Sequence, residues 1–212
     1  MFHVKLNARS ILEHLTEVQI GLLHEFAGVL KGQAVPLGLV SESDAGRVWD
    51  RHVLDSLRGL ACLGRDDRAA VDIGSGAGLP GIPLAIAVPT MRFTLVEPKR
   101  RRAAFLEAVT QELGLTNVSV APVRAEEAGS GVDLCLARAL APPAESWRTA
   151  AALLSQAGRL VYWAGRSWGD GDLEQVARVG AKAEICLKPE FQWQGPLVIM
   201  TRSSPPLPQK DK

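Results

Sequence analysis

Apolar side chains recur at Ile11, Leu15, Val18, Leu22, Phe26 and Val29, with Glu13, Glu17 and Glu25 between them. That spacing predicts one amphipathic helix over residues 8–30. Gly32, Pro36 and Gly38 then interrupt the pattern. Ser43 is placed to cap a second helix running to about Leu60, and Asp44 beside it suits the positive end of the helix dipole. From Gly64 onward the pattern changes to short apolar runs of strand length, at Ala69–Ile73, Arg92–Glu97, Asn117–Val123, Val132–Ala137, Gly158–Ala164, Ala183–Leu187 and Pro196–Thr201. Helical segments fall between most of them, over about Pro80–Val88, Pro98–Leu113, Pro142–Ser155 and Asp170–Val179. Strands separated by helices need right-handed crossovers, which give a largely parallel sheet covered on both faces. The expected architecture is therefore α/β, with a helical extension over residues 1–64, a seven-stranded Rossmann-like domain over 65–202 and a tail over 203–212. The tail is rich in proline and charge and is expected to be disordered.

Composition narrows the class. With 47% hydrophobic residues among 212, the chain can bury a core of ordinary size. A net charge of only +1 means that any grip on nucleic acid must come from a local basic patch. There is no apolar run of about 18 residues and no secretory leader, so a cytoplasmic protein without a membrane span is expected. Three cysteines, Cys62, Cys135 and Cys186, are odd in number and lack C-x-x-C spacing. Each is expected to be a small core residue and not a metal ligand or bridge partner, and no metal site is expected.

The chemistry concentrates where the first strand breaks into glycines, over residues 71–81. Glycines in such a turn permit positive φ and let a ligand approach the backbone, and the helix that follows offers unpaired N–H donors suited to a ligand carboxylate. A dinucleotide fingerprint, G-x-G-x-x-G counted from Gly74, needs its third glycine where Leu79 stands. What fits in register is an acid followed by alternating glycines: Asp72, Gly74, Gly76 and Gly78. In open α/β sheets the ligand sits at the carboxyl ends of the strands, near the reversal of strand order. Glu97 ends the second strand, placed to accept hydrogen bonds from a ribose diol. Ala125 and Glu126 follow the third strand, where a backbone N–H and a carboxylate could read an adenine edge; Glu126 could equally cap the short helix it opens. Arg138 ends the fourth strand and should point into the same crevice.

Two further groups stand apart. Arg51, His52, Asp55 and Ser56 fall within two helical turns, with His52 and Asp55 neighbours at i, i+3, a spacing that serves a structural surface pair equally well. Lys99, Arg100, Arg101 and Arg102 open a helix, where cations oppose the macrodipole. A nearby anion such as RNA phosphate would explain their placement; a solvated first turn is the competing reading.

As a set, Asp72 to Pro83, Glu97, Arg124-Ala125-Glu126-Glu127, Arg138-Ala139 and Arg51-His52-x-x-Asp55-Ser56 resemble one family. It is the bacterial ribosomal RNA small subunit methyltransferase G family, also called glucose-inhibited division protein B, and the resemblance spans roughly residues 10–201. It implies a class I S-adenosylmethionine-dependent methyltransferase fold and a monomer. The reaction it implies is methylation of N7 of guanine 527 in a loop of 16S ribosomal RNA, naked or in the 30S subunit. Carried over by position, the family's cofactor residues fall on Gly74, Leu79, Ala125, Glu126 and Arg138, and its basic residues on Arg101 and Arg102; Gly76 and Glu97 are expected to contact the cofactor as well, and His52 to form the opposite wall of the RNA site. Two departures concern the cleft rim: Gly38-Leu39-Val40 stands for the family's Asn-Leu-Thr, and Ala164-Gly165 for its Lys-Gly.

The chemistry agrees with a site that lacks a dedicated acid or base. Guanine N7 carries an in-plane lone pair and no proton, so attack on a sulfonium methyl needs only alignment and exclusion of water, with Arg138 in support. Exocyclic-amine methylation resembles a different signature, Asn or Asp-Pro-Pro-aromatic, whereas this chain reads Leu140-Ala141-Pro142-Pro143-Ala144. Cytosine C5 methylation needs a nucleophilic cysteine, and Cys135 lies within an apolar strand. A small-molecule methyltransferase and an NAD-binding oxidoreductase are the alternatives.

Overall fold

In the computed structural model, which describes residues 8–203, the alternating apolar runs form one seven-stranded sheet. Its strands are β1 (Ala69–Ile73), β2 (Arg92–Val96), β3 (Val118–Ala121), β4 (Val132–Arg138), β5 (Leu154–Trp163), β6 (Ala181–Leu187) and β7 (Leu197–Arg202). Their order is β3-β2-β1-β4-β5-β7-β6. The first five pair in parallel, and β7 runs antiparallel between β5 and β6. Order reverses between β1 and β4, which places the ends of β1, β2 and β4 around one crevice. The central strands read as continuous apolar runs because both faces are covered.

The helices are α1 (Ala8–Leu12), α2 (Glu17–Val29), α3 (Asp55–Leu57), α4 (Gly81–Ala87), α5 (Arg100–Glu112), α6 (Pro143–Leu153) and α7 (Asp170–Arg178). The single helix expected over residues 8–30 is thus two. Thr16 and Gln19 form a capping box: the Gln19 N–H donates to Thr16 Oγ1 at 3.3 Å and the Thr16 N–H to Gln19 Oε1 at 2.9 Å. This new start rephases the apolar face, so that Leu23, Phe26 and Val29 are buried while Val18 is 73% exposed. The helical path then runs past Gly32 as wide turns over Leu30–Ala34.

Ser43 does not cap the second helical run; its hydroxyl bonds that of Ser41. That run passes from a 3-10 segment, Glu42–Arg47, through wide turns at Trp49–Leu54 and α3 to a second 3-10 segment, Arg58–Cys62. Leu23, Phe26, Leu30 and Val53 share a core with Ile82 and Ile86 of α4 and Leu106 of α5. The Gln19 side chain also donates to the last carbonyls of α4, at Ile86 and Ala87. The extension therefore packs directly on the helix that follows the glycine turn.

One expectation is overturned. Cys62 and Cys186 are joined as a disulfide across 124 residues of sequence, stapling the end of the 3-10 segment to β6. Spacing along the chain carries no trace of this, because the two cysteines meet only through the tertiary fold, between the 3-10 segment and β6. Cys135 is a free, buried cysteine, and burial pushes its thiol pKa up, as an inert core position requires. The expected tail lies outside the described residues apart from Ser203. Among the described residues no helix is long and apolar enough to cross a membrane, and no group of three His, Cys, Asp or Glu residues is gathered to hold a metal.

Candidate active site

The chain leaves β1 through Gly74, Gly76 and Gly78, all at positive φ (70°, 58° and 85°). A Cβ on Gly74 would stand 2.7 Å from Leu140 Cδ1. Asp72, 1% exposed, ties the turn to the start of α4: its Oδ2 accepts from the Gly81 N–H at 3.0 Å. Burial is the main reason that its pKa is raised to about 7, against the lowering effect of that hydrogen bond. Glu97 is buried too, and its carboxylate accepts from the Gly76 N–H at 3.2 Å and the Lys99 N–H at 2.9 Å. The acid ending β2 thus braces the glycine turn.

A cavity of about 220 Å³ opens at these strand ends, lined by Ile73, Gly74, Ala125, Glu126, Leu140 and residues around them. It is smaller than the roughly 300–1,000 Å³ of clefts that bury a whole ligand, which suits one part of a nucleoside cofactor. Leu79 lines no cavity described here; its side chain is buried in the core shared with the extension.

Across Ala139 lies a larger cavity of about 560 Å³. Arg138, at the end of β4, is its organising cation. Its Nη2 donates to His52 Nδ1 at 3.1 Å, and Nη1 reaches Ser56 Oγ at 3.4 Å and Asp55 Oδ2 at 3.5 Å. Since Arg138 must donate, His52 Nδ1 accepts and the proton sits on Nε2, which lies 3.3 Å from Asp44 Oδ2 but out of hydrogen-bond alignment. Desolvation first, and the charge of Arg138 second, lower the His52 pKa to about 4, so this ring is neutral at physiological pH. Arg58, 4% exposed, donates to Asp55 Oδ1 at 2.8 Å. The upstream His-Asp motif is therefore the hydrogen-bonded shell of Arg138.

Ala139, the residue between the two cavities, has φ of 52°, a left-handed conformation uncommon outside glycine. The cavities have no lining residue in common, yet Ala139 borders one and Leu140 the other.

Arg101 and Arg102 sit elsewhere, in the first turn of α5, which contains no acidic residue of its own, and Arg102 Nη1 lies 3.9 Å from Glu97 Oε2. With Lys99, Leu37 and Leu39 they line a third cavity of about 190 Å³. Sequence reasoning named Arg138, His52, Asp55 and Ser56 but kept Arg138 apart from the other three, and it missed Asp44, Arg58, Trp163 and Trp193 as walls of the large cavity. Arg58 directly follows the motif in a helical run, the one local hint available.

The sheet order, the glycine turn and the paired cavities at the strand ends define the class I methyltransferase architecture. Among solved structures, a variant of MtNAS in complex with S-adenosylmethionine is similar in fold, with a TM-score of 0.61 at 24% identity over 87% of this chain and 73% of that one. A TehB-like SAM-dependent methyltransferase from Corynebacterium glutamicum follows the same fold, with a TM-score of 0.56 at 18% identity over 79% of this chain and all of its own (100%). The model of one family, rRNA small subunit methyltransferase G, matches residues 19–182, and the chain belongs to that family. The ribosomal RNA small subunit methyltransferase G of Acidiphilium cryptum is 42% identical over 158 residues, 73% of this chain and 72% of the relative. That of Sorangium cellulosum is 54% identical over 101 residues, 47% of this chain and 42% of the relative.

Proposed function

We propose that the protein methylates N7 of one guanine in 16S ribosomal RNA, guanine 527, as a monomeric cytoplasmic enzyme acting on the RNA or the 30S subunit, with S-adenosylmethionine as cofactor. The observation that carries this reading is the pair of cavities meeting at Ala139 and Leu140, a small one beside the glycine turn and a large one around Arg138. The small cavity fits the cofactor's nucleoside on the chemistry of its lining: an apolar slot of Ile73, Val96 and Leu140 with Glu126 at its edge and the buried Glu97 carboxylate behind Gly76. Gly74, Gly76, Ala125, Glu126 and Glu97 would hold it, and Leu79 through its backbone alone.

When bound, the cofactor supplies an electrophilic methyl on a sulfonium, which the N7 lone pair takes as the C–S bond breaks, leaving a thioether and a cationic purine. The chain's part is alignment and exclusion of water. Arg138 is fixed by His52, Ser56 and Asp55 and presents its planar donors to the large cavity, where guanine O6 is the acceptor adjacent to N7. His52, neutral and already accepting from Arg138, positions that guanidinium and takes no proton. Arg101 and Arg102 would meet phosphates. Mass-spectrometric mapping of 16S ribosomal RNA from a deletion strain tests the proposal: one 7-methylguanosine should disappear and return on complementation. Loss of a modified exocyclic amine, or no change in the RNA, would overturn it.

A further inference from the structure

The large cavity has an aromatic wall that the family motifs do not contain. Trp193 sits in the loop between β6 and β7, half-buried and lining the cavity. Two sets of hydrogen bonds build this loop. Arg58 Nη2 donates to the carbonyl of Gly195 at 3.1 Å and lies 3.4 Å from that of Lys188. Gln194, 7% exposed, turns its Oε1 inward to accept from the N–H groups of Glu190 and Phe191 at 3.0 and 3.3 Å. Loop residues 188–195 are thus held from both ends by the same Arg58 that anchors Asp55 beside Arg138.

Phe191, 50% exposed, lies parallel to Trp193 with ring centroids 5.5 Å apart and an interplanar angle of 4°. Arg51, held by Asp44 at 2.6 Å, stands over the Trp193 ring with its Cζ 5.6 Å from the centroid. That is near the roughly 6 Å outer reach of a cation–π contact, and Trp193 stays half-buried on the cavity wall. An exposed phenyl and a half-buried indole are thus held parallel on a pinned loop beside cations. They match the way proteins take unpaired bases, by stacking them on aromatic faces.

Building on the function proposed above, we infer that Trp193 is the stacking platform for the target guanine. Methylation at N7 places positive charge on the purine, and an indole face attracts cations more than neutral rings. The contact therefore strengthens as the methyl transfers, so Trp193 acts on the rate of the chemical step as well as on binding.

The test is single-turnover methylation of saturating small subunits purified from the deletion strain, comparing wild type with Trp193→Ala, Trp193→Leu and Trp193→Phe. Calorimetry of S-adenosylmethionine binding and thermal melting accompany each variant. The Ala and Leu variants should lose at least about fivefold in rate, the low end of base–aromatic stacking, while Phe stays within about twofold. Cofactor affinity and melting temperature should not move. Leu matching Phe would mean that bulk and not a ring face is needed, and all four proteins reacting at one rate would equally overturn the assignment. Absence of methylation even by wild type would overturn the RNA substrate itself, an outcome distinct from a failure of Trp193 alone.

Discussion

Arg138 and His52 meet across 86 residues of sequence at 3.1 Å, with the guanidinium donating to the imidazole Nδ1. The contact joins the end of β4 to the helical extension, so the residue at the centre of the cleft is positioned from outside the sheet. It also gives the histidine a fixed tautomer and no part in proton transfer.

Replacing Arg138 by Lys keeps the charge but loses the planar fork that serves His52, Ser56 and Asp55 together. Methyl transfer should fall about tenfold or more through misalignment. Cofactor affinity should change less than the rate, and parallel calorimetry and single-turnover assays will separate the two.

His52 makes stability depend on pH. Its folded pKa of about 4 lies below the unfolded 6.5, so the unfolded chain takes up a proton that the folded one refuses. This costs stability progressively as pH falls from 6.5 to 4, by about 2–3 kcal/mol. Asp72 works in the opposite sense: its folded pKa of about 7 lies above 3.8, so its protonation favours the fold as pH falls through that range. The difference between wild type and His52→Gln isolates the histidine. Urea unfolding at pH 6.5 and 4.5 should show the variant losing less stability than wild type.

Gly74→Ala combines a left-handed backbone at φ 70° with a methyl 2.7 Å from Leu140 Cδ1. The backbone cost alone is about 1–2 kcal/mol. Leu140 lines the small cavity, so displacing its side chain there should lower S-adenosylmethionine affinity together with stability. Adding Leu140→Ala should recover part of the binding and none of the backbone strain, which calorimetry and denaturation read independently.

Removing both Arg101 and Arg102 should flatten the salt dependence of RNA binding by about two counterions' worth of slope. Arg102 Nη1 is 3.9 Å from Glu97 Oε2, so the brace on the glycine turn does not depend on it. Cofactor affinity should hold. An unchanged slope would return these cations to a solvated helix end.

The strands and the glycine turn were legible because each is dictated within a few residues: apolar runs bounded by breakers, and an acid followed by alternating glycines. Arg138 was named because strand order aims the end of β4 at the strand-end crevice, but it lines the cavity across Ala139 and not the one beside the glycine turn. The break at Thr16 was also written locally, as Thr16-x-x-Gln19, but a continuous apolar stripe through Val18 hid it. What was not legible forms between distant segments. Cys62 finds Cys186 across 124 residues, and Arg58 finds Gly195 across 137. Trp193 lies in a loop with no periodicity, where an aromatic has no pattern to depart from.

The partition at Ala139 has a kinetic corollary. Two cavities that share no lining residue would give the cofactor and the RNA separate places on either side of the chain at Ala139. Under the function proposed above, the two ligands should then bind in either order, and spent cofactor should be able to leave while the RNA stays docked.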